Sequence, residues 1–197
     1  MVNFDSKVVG YKLKSSKPVI DVDEVIIPTD VKLPADAPAR MKTLRAEGKK
    51  WYLTIVYHED TEQPFAMFCK TNHKEQGAQT SDAIDRLTSL ALRKGILPEH
   101  VEKVIEKSAH ENNVAKLTRN ISLLLRHGVR IRNIVSELDG MEDIYAGSFL
   151  YQIKKFLSQY IKDGESVDND ACGSCGGVLV FSEVCMTCRD CGSSKCG

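Results

Sequence analysis

The apolar positions change period along the chain, from alternation to helical spacing, and then give way to cysteines. Before residue 30, the β-branched runs "KVVGYKL", "PVIDV" and "EVIIP" are punctuated by Pro18 and Pro28 and predict short strands. "KLPADAPARMKTLRAEGKK" opens polar and Pro-rich and predicts a short helix from about Pro38 to Glu47, ended by Gly48. "KWYLTIVYHED" and "QPFAMFCKTN" alternate as strands do. The polar turn "EDTEQP" between them predicts an antiparallel hairpin.

The next hundred residues are spaced as helices. "TSDAIDRLTSLALRKG" has Thr80 or Ser81 as N-cap, a stripe of Ile84, Leu87, Leu90 and Ala91, and a stop at Gly95. "LPEHVEKVIEKSAH" places Pro98 at a first helical position. "NNVAKLTRNISLLLRHG" repeats Val114, Leu117, Ile121, Leu124 and Leu125 and closes at Gly128, and "IRNIVSELDG" continues as a shorter helix. "GSFLYQIKKFLSQYIKDG" starts from Ser148 as N-cap, with Phe149, Ile153, Phe156, Leu157 and Tyr160 on one stripe. These stripes are read as core.

Between Ile161 and Ala171 the only apolar residue is Val167, so residues 164–171 read as an acidic linker. The linker divides an α+β domain, residues 1–163, from a cysteine module, residues 172–197. The expected fold class is α+β: a small antiparallel sheet with a helical cluster, followed by a C-terminal zinc ribbon. Twenty-six residues cannot bury a self-supporting core, so the module needs a metal or disulfides to fold.

Composition narrows the function classes. The chain has 197 residues, 42% of them hydrophobic and 27% charged, with 27 Lys plus Arg against 27 Asp plus Glu. This balance argues against bulk nucleic-acid binding. No apolar run approaches a membrane span, and "MVNFDSKVVG" lacks an apolar signal core, so a cytoplasmic location is expected. In reducing cytosol, clustered cysteines point to metal ligation or redox chemistry rather than structural disulfides. Cys69, inside the apolar "PFAMFCK", reads as a buried small hydrophobe.

"ACGSCGGVLVFSEVCMTCRDCGSSKCG" holds six cysteines, and a tetrahedral zinc site needs four. One register uses Cys172, Cys175, Cys188 and Cys191. Both of its CxxC pairs are followed by glycine, which lets the backbone turn its N–H groups toward thiolate sulfur, and "GVLVFSEVCMT" between them can form a hairpin turning near Ser182 and Glu183. The other register uses Cys172, Cys175, Cys185 and Cys188, where the second pair lacks the trailing glycine. The glycines favour the first. The spare cysteines are then Cys185 and Cys196, or Cys191 and Cys196 in the second register. Cys196 is spare in both and sits in the polar tail "GSSKCG", where an exposed, mobile thiol suits redox exchange.

Elsewhere the five histidines show no metal-ligand spacing, and no phosphate loop or GxSxG elbow is present. Lys116, Arg119, Arg126, Arg130 and Arg132 with His127 make a locally basic segment, read as a solvated or docking face. "KTN" at 70–72 and "HENN" at 110–113 read as capping clusters.

The run "RLTSLALRKG…NNVAKLTRNISLLLRHGVRIRNIVSELDG…GSFLYQIKKFLSQYIKDG", followed by "CGSCGGVLVFSEVCMTCRDCGSSKCG", resembles the C-terminal region of adenosylcobalamin-dependent (class II) ribonucleotide reductases, the TSCPD family. The resemblance covers about residues 50–197. It implies a small second chain of a split reductase, since a catalytic barrel, a radical cysteine loop and a cobalamin site do not fit in 197 residues with this pattern. The implied role is an accessory subunit in deoxyribonucleotide synthesis for DNA replication. It would not be catalytic alone. It would dock on the large catalytic chain and supply tail thiols, Cys196 with Cys185 or Cys191, that re-reduce the active-site disulfide. A thioredoxin-like reductant is a candidate second partner. Zinc would be structural, and adenosylcobalamin would enter only through the large chain. The tail spacing of related reductases matches Cys191–Cys196, which pulls toward the second register. The rival expectation is a zinc-ribbon regulatory or nucleic-acid-binding protein sharing the terminal domain. Balanced charge and the lack of aromatics among the basic residues count against it.

Overall fold

A computed structural model describes residues 31–59, 62–69, 78–109, 111–141, 144–162, 164, 166–182 and 185–196. The strands expected before residue 30, the "KTN" cluster, His73 and His110 lie outside these residues. Three antiparallel strands, β1 (Ala39–Ala46), β2 (Lys49–Tyr57) and β3 (Pro64–Cys69), form the first sheet in that order. Five helices follow: α1 (Ala78–Arg93), α2 (Pro98–Ser108), α3 (Asn113–Arg126), α4 (Ile131–Asp139) and α5 (Phe149–Ser158). A four-stranded antiparallel meander then closes the order: β4 (Ser166–Ala171), β5 (Val178–Ser182), β6 (Cys185–Cys188) and β7 (Ser194–Cys196).

Several sequence expectations need correction. Residues 38–47 are not helical, because they form strand β1. Leu44 and Ala46 alternate inward, and Glu47 and Gly48 both take positive φ, 54° and 70°. That pair is the left-handed two-residue turn matching the twist of a hairpin, and it lets β1 pair along the whole of β2. Thr80 and Ser81 are not caps; α1 already runs from Ala78. Residues 166–171, expected within a linker, pair with β5, and Val167 joins the main core. The other caps hold. Asn112 accepts from Ala115 N–H at 2.9 Å and Ser148 from Tyr151 N–H at 3.2 Å, while Pro98 opens α2.

Trp51, Leu53 and Ile55 alternate onto the face of β2 that the helices cover. The Trp51 ring lies 4.9 Å from that of Phe149, and its indole N–H donates to the Ala46 carbonyl at 3.2 Å. β3 is an edge strand, whose outward N–H groups would lack ladder partners. Helix α3 supplies them. Ser122 Oγ accepts from Met67 N–H at 2.9 Å, and Thr118 Oγ1 accepts from Cys69 N–H at 3.2 Å. One helical turn between Thr118 and Ser122 matches two residues of strand, so the hydroxyls tie helix to sheet edge. Cys69 is buried beneath, and burial pushes its thiol up to about 11, as suits an inert core residue. Among the described residues, no helix is long and apolar enough to cross a membrane.

The second sheet is not detached. Val167, Phe181 and Met186 belong to the same apolar cluster as the helices. The cysteine-bearing end is therefore seated on the body.

Candidate metal centre and cysteine pair

An antiparallel meander brings alternate turns to the same end. The β4–β5 turn carries Cys172 and Cys175, and the segment from the end of β6 toward β7 carries Cys188 and Cys191. Each turn closes alike. Gly176 N–H donates to Cys172 O at 2.7 Å and Gly192 N–H to Cys188 O at 3.1 Å. Cys172 N–H donates to Gly177 O at 2.9 Å and Cys188 N–H to Ser193 O at 2.8 Å. Gly176 and Gly192 both have φ of 72°, the left-handed region that the trailing glycines were expected to serve.

The result is two matching loops with their sulfurs converging. The Sγ atoms of Cys172, Cys175, Cys188 and Cys191 all lie within 4.8 Å of one another. Cys172 and Cys191 are 3.6 Å apart, and Cys175 and Cys188 are 3.4 Å apart. Tetrahedral zinc with Zn–S bonds of about 2.3 Å sets its sulfurs about 3.8 Å apart, so the four thiols fit a single such ion. In each pair the first cysteine is buried and the second exposed. The fold gathers this set and leaves Cys185 out of it.

The electrostatics are those of a metal cage. Backbone N–H groups of Ser174 and Cys175 point at the Cys172 sulfur and lower its pKa to about 6. Cys175 accepts from Gly177 N–H at 3.4 Å, but its neighbouring thiols push it up to about 12. Four sulfurs this close cannot all carry charge unless a cation sits among them. With four thiolates and no open position for water, such an ion would have a structural role.

Cys185 lies at the opposite end of β6, three residues or about 10 Å of strand from Cys188. Its backbone pairs with Cys196 across β6 and β7, and Cys185 is disulfide-bonded. The tail expected to be mobile is thus a strand at residues 194–196.

The basic segment is divided. Arg132 is buried, whereas Arg119 and Arg126 line a cavity of about 160 Å³ between α2 and α3. Sequence reading missed the other half of that cavity, Lys103 and Lys107 on α2. Their four-residue spacing was legible as one helix face, but only packing shows that this face looks at α3.

No family model, curated protein or solved structure matches this chain.

Proposed function

We propose that the chain is an accessory subunit of an adenosylcobalamin-dependent ribonucleotide reductase, in which a zinc-ribbon unit holds Cys185 and Cys196 as an exchangeable thiol pair. The observation that carries this reading is the division of the cysteines. Four converge at one end of the second sheet, while Cys185, disulfide-bonded, lies opposite Cys196 at the other. The resemblance of the helical segments and the cysteine unit to the terminal region of class II reductases supports the partner. In the proposed step, one thiolate of the reduced pair attacks a disulfide in the large chain's active site and forms a mixed disulfide. The second thiol, losing its proton, attacks the sulfur of its own chain. The large chain leaves as a dithiol and this chain as a disulfide, two electrons having moved. A thioredoxin-like dithiol would restore the pair.

Three measurements test the reading. Alkylation and mass spectrometry of the zinc-loaded protein should find Cys185 and Cys196 linked after mild oxidation and the other four protected until the metal is chelated. A pull-down from native lysate should retain a large cobalamin-dependent reductase chain. With that chain, Cys196→Ser should abolish turnover driven by a dithiol protein while sparing turnover driven by a small dithiol. Equal turnover of variant and wild type with the protein reductant would refute the shuttle. Recovery of DNA-bound proteins without a reductase would refute the partner.

A further inference from the structure

The first sheet has a second face, turned away from the helices. Leu44 and Ala46 of β1 and Trp51, Leu53 and Ile55 of β2 alternate into the core, so Met41, Thr43, Arg45, Lys50, Tyr52 and Thr54 point the other way. The register sets Met41 opposite Thr54, Thr43 opposite Tyr52 and Arg45 opposite Lys50. Val31 and Ala37 pack against Val56 and Ala66 at one end of the sheet. The end near the β1–β2 turn is open. Met41 is 72% and Tyr52 47% exposed, and Arg45 and Lys50 are exposed beside them.

The charge on this hairpin has one sign. Arg40, Lys42, Arg45, Lys49 and Lys50 lie in β1 and β2, and neither strand holds a carboxylate. Arg40 pairs with Glu62 and Lys42 bonds Gln159. Among the described residues, Arg45, Lys49 and Lys50 make no ion pair. Like charges directly opposite on a sheet are destabilising, and Arg45 and Lys50 stand so. The Lys50 ammonium lies 5.5 Å from the centroid of the Tyr52 ring, so cation and ring share one patch. Charges that merely protect an edge strand need no exposed tyrosine and methionine beside them.

A peptide adding as a strand would need the free edge of β1, and that edge is flanked by α5 and the loop before it. Glu47 N–H donates to Gly147 O at 2.8 Å, and Lys42 Nζ donates to Gln159 Oε1 at 3.4 Å and sits over the Phe156 ring. The face remains. An open sheet face with an aromatic ring beside cations suits unpaired bases: the ring stacks a base, and the cations take the flanking phosphates. A duplex keeps its base faces stacked inside.

We propose that the outer face of the β1–β2 hairpin binds single-stranded nucleic acid, with a base on Tyr52, phosphates on Arg45 and Lys50, and Met41 against a neighbouring base. Phosphate and base face are common to DNA and RNA. With a formal net charge of +0, the chain does not attract a polymer from a distance, so affinity rests on this short contact. The site stands apart from the cysteines and from the redox reading above.

The test is fluorescence anisotropy of labelled oligothymidylate and oligouridylate, each of about 15 nucleotides, titrated with the full chain. At least one should bind saturably in the micromolar range, and a preference between them identifies DNA or RNA as the source. Tyr52→Ala should weaken binding by about tenfold and leave its salt dependence unchanged. Arg45→Ala/Lys50→Ala should lower the slope of log affinity against log salt by about 1.4, the share of two single-strand phosphates. Its thermal midpoint should not fall below that of the wild type, since the opposed charges are gone. No saturable binding of either oligonucleotide at millimolar protein would overturn the proposal. So would affinities unaltered in both variants, or tighter binding of polyglutamate or of a DNA duplex than of the single strands.

Discussion

The two sheets solve the same problem by different means. The first buries Trp51, Leu53, Ile55 and Met67 under helices and supports itself by removing apolar surface from water. The second contributes Val167, Phe181 and Met186 to that core, and its turns converge on four sulfurs rather than on apolar side chains. One region carries its cohesion in its sequence of hydrophobes. The other gathers four sulfurs that a cation could hold together. Cys185 and Cys196 pair on the second region, so their placement would depend on any metal held by the four sulfurs at its other end.

Removing the metal should separate the regions most sharply. Structural zinc contributes about 10–16 kcal/mol of apparent free energy to small cysteine sites. Chelation at neutral pH should therefore make the amides of residues 166–196 exchange rapidly with deuterium, while those of α1, α3 and α5 stay protected. Equal protection with and without metal would mean that the shared core alone holds the second sheet. Acid should act in the same direction as chelator, since protons compete for the ligand sulfurs. Each thiol that must lose a proton weakens binding by about tenfold per pH unit. Cys175, held up at about 12, contributes throughout the neutral range, whereas Cys172, held near 6, adds its proton only below that value. The slope of metal affinity against pH should steepen as pH falls through about 6.

Trp51→Ala attacks the other region. It removes a fully buried ring packed on Phe149 and should cost about 3–5 kcal/mol in denaturant unfolding followed by circular dichroism. The bound metal should remain at its site until the body unfolds, so metal release and helix loss should coincide. Release well before helix loss would show that the second sheet opens by itself and depends on the body less than their common cluster suggests.

The smallest effect concerns the tie between edge strand and helix. Ser122→Ala leaves the Met67 N–H buried without its acceptor and should cost about 1–3 kcal/mol. Exchange should rise first at Met67 and Cys69, on the strand edge, with the metal centre unaffected. A loss spread evenly over both sheets would remove the distinction between the regions.

Much of this arrangement was legible from the chain alone. Helices α2 to α5 follow their apolar stripes, and Asn112, Ser148 and Pro98 begin them for local reasons that need no tertiary partner. The four cysteines that the fold gathers are those whose two pairs carry trailing glycines, because the same backbone turn is required twice. Strand β1 was misread because "ARMKTLRA" suits a helix by composition. A hairpin with β2, closed by Glu47 and Gly48, overrode that preference. Residues 164–171 looked like a tether because a single apolar side chain is a weak signal, yet Val167 has a place in the core once β5 lies alongside.

What the sequence determined by itself was local. It set the periods that make helices and strands, the caps that start them, and the spacing that makes two identical cysteine turns, all of which depend on residues within a few positions of one another. What only the tertiary structure decided was juxtaposition. The meander brings two turns thirteen or more residues apart to one end and sets Cys185 opposite Cys196 at the other. The packing of α2 on α3 gathers four cations around one cavity. Local preference acts through a residue's own backbone and near neighbours, whereas these contacts exist only after long loops have closed and apolar faces have found each other.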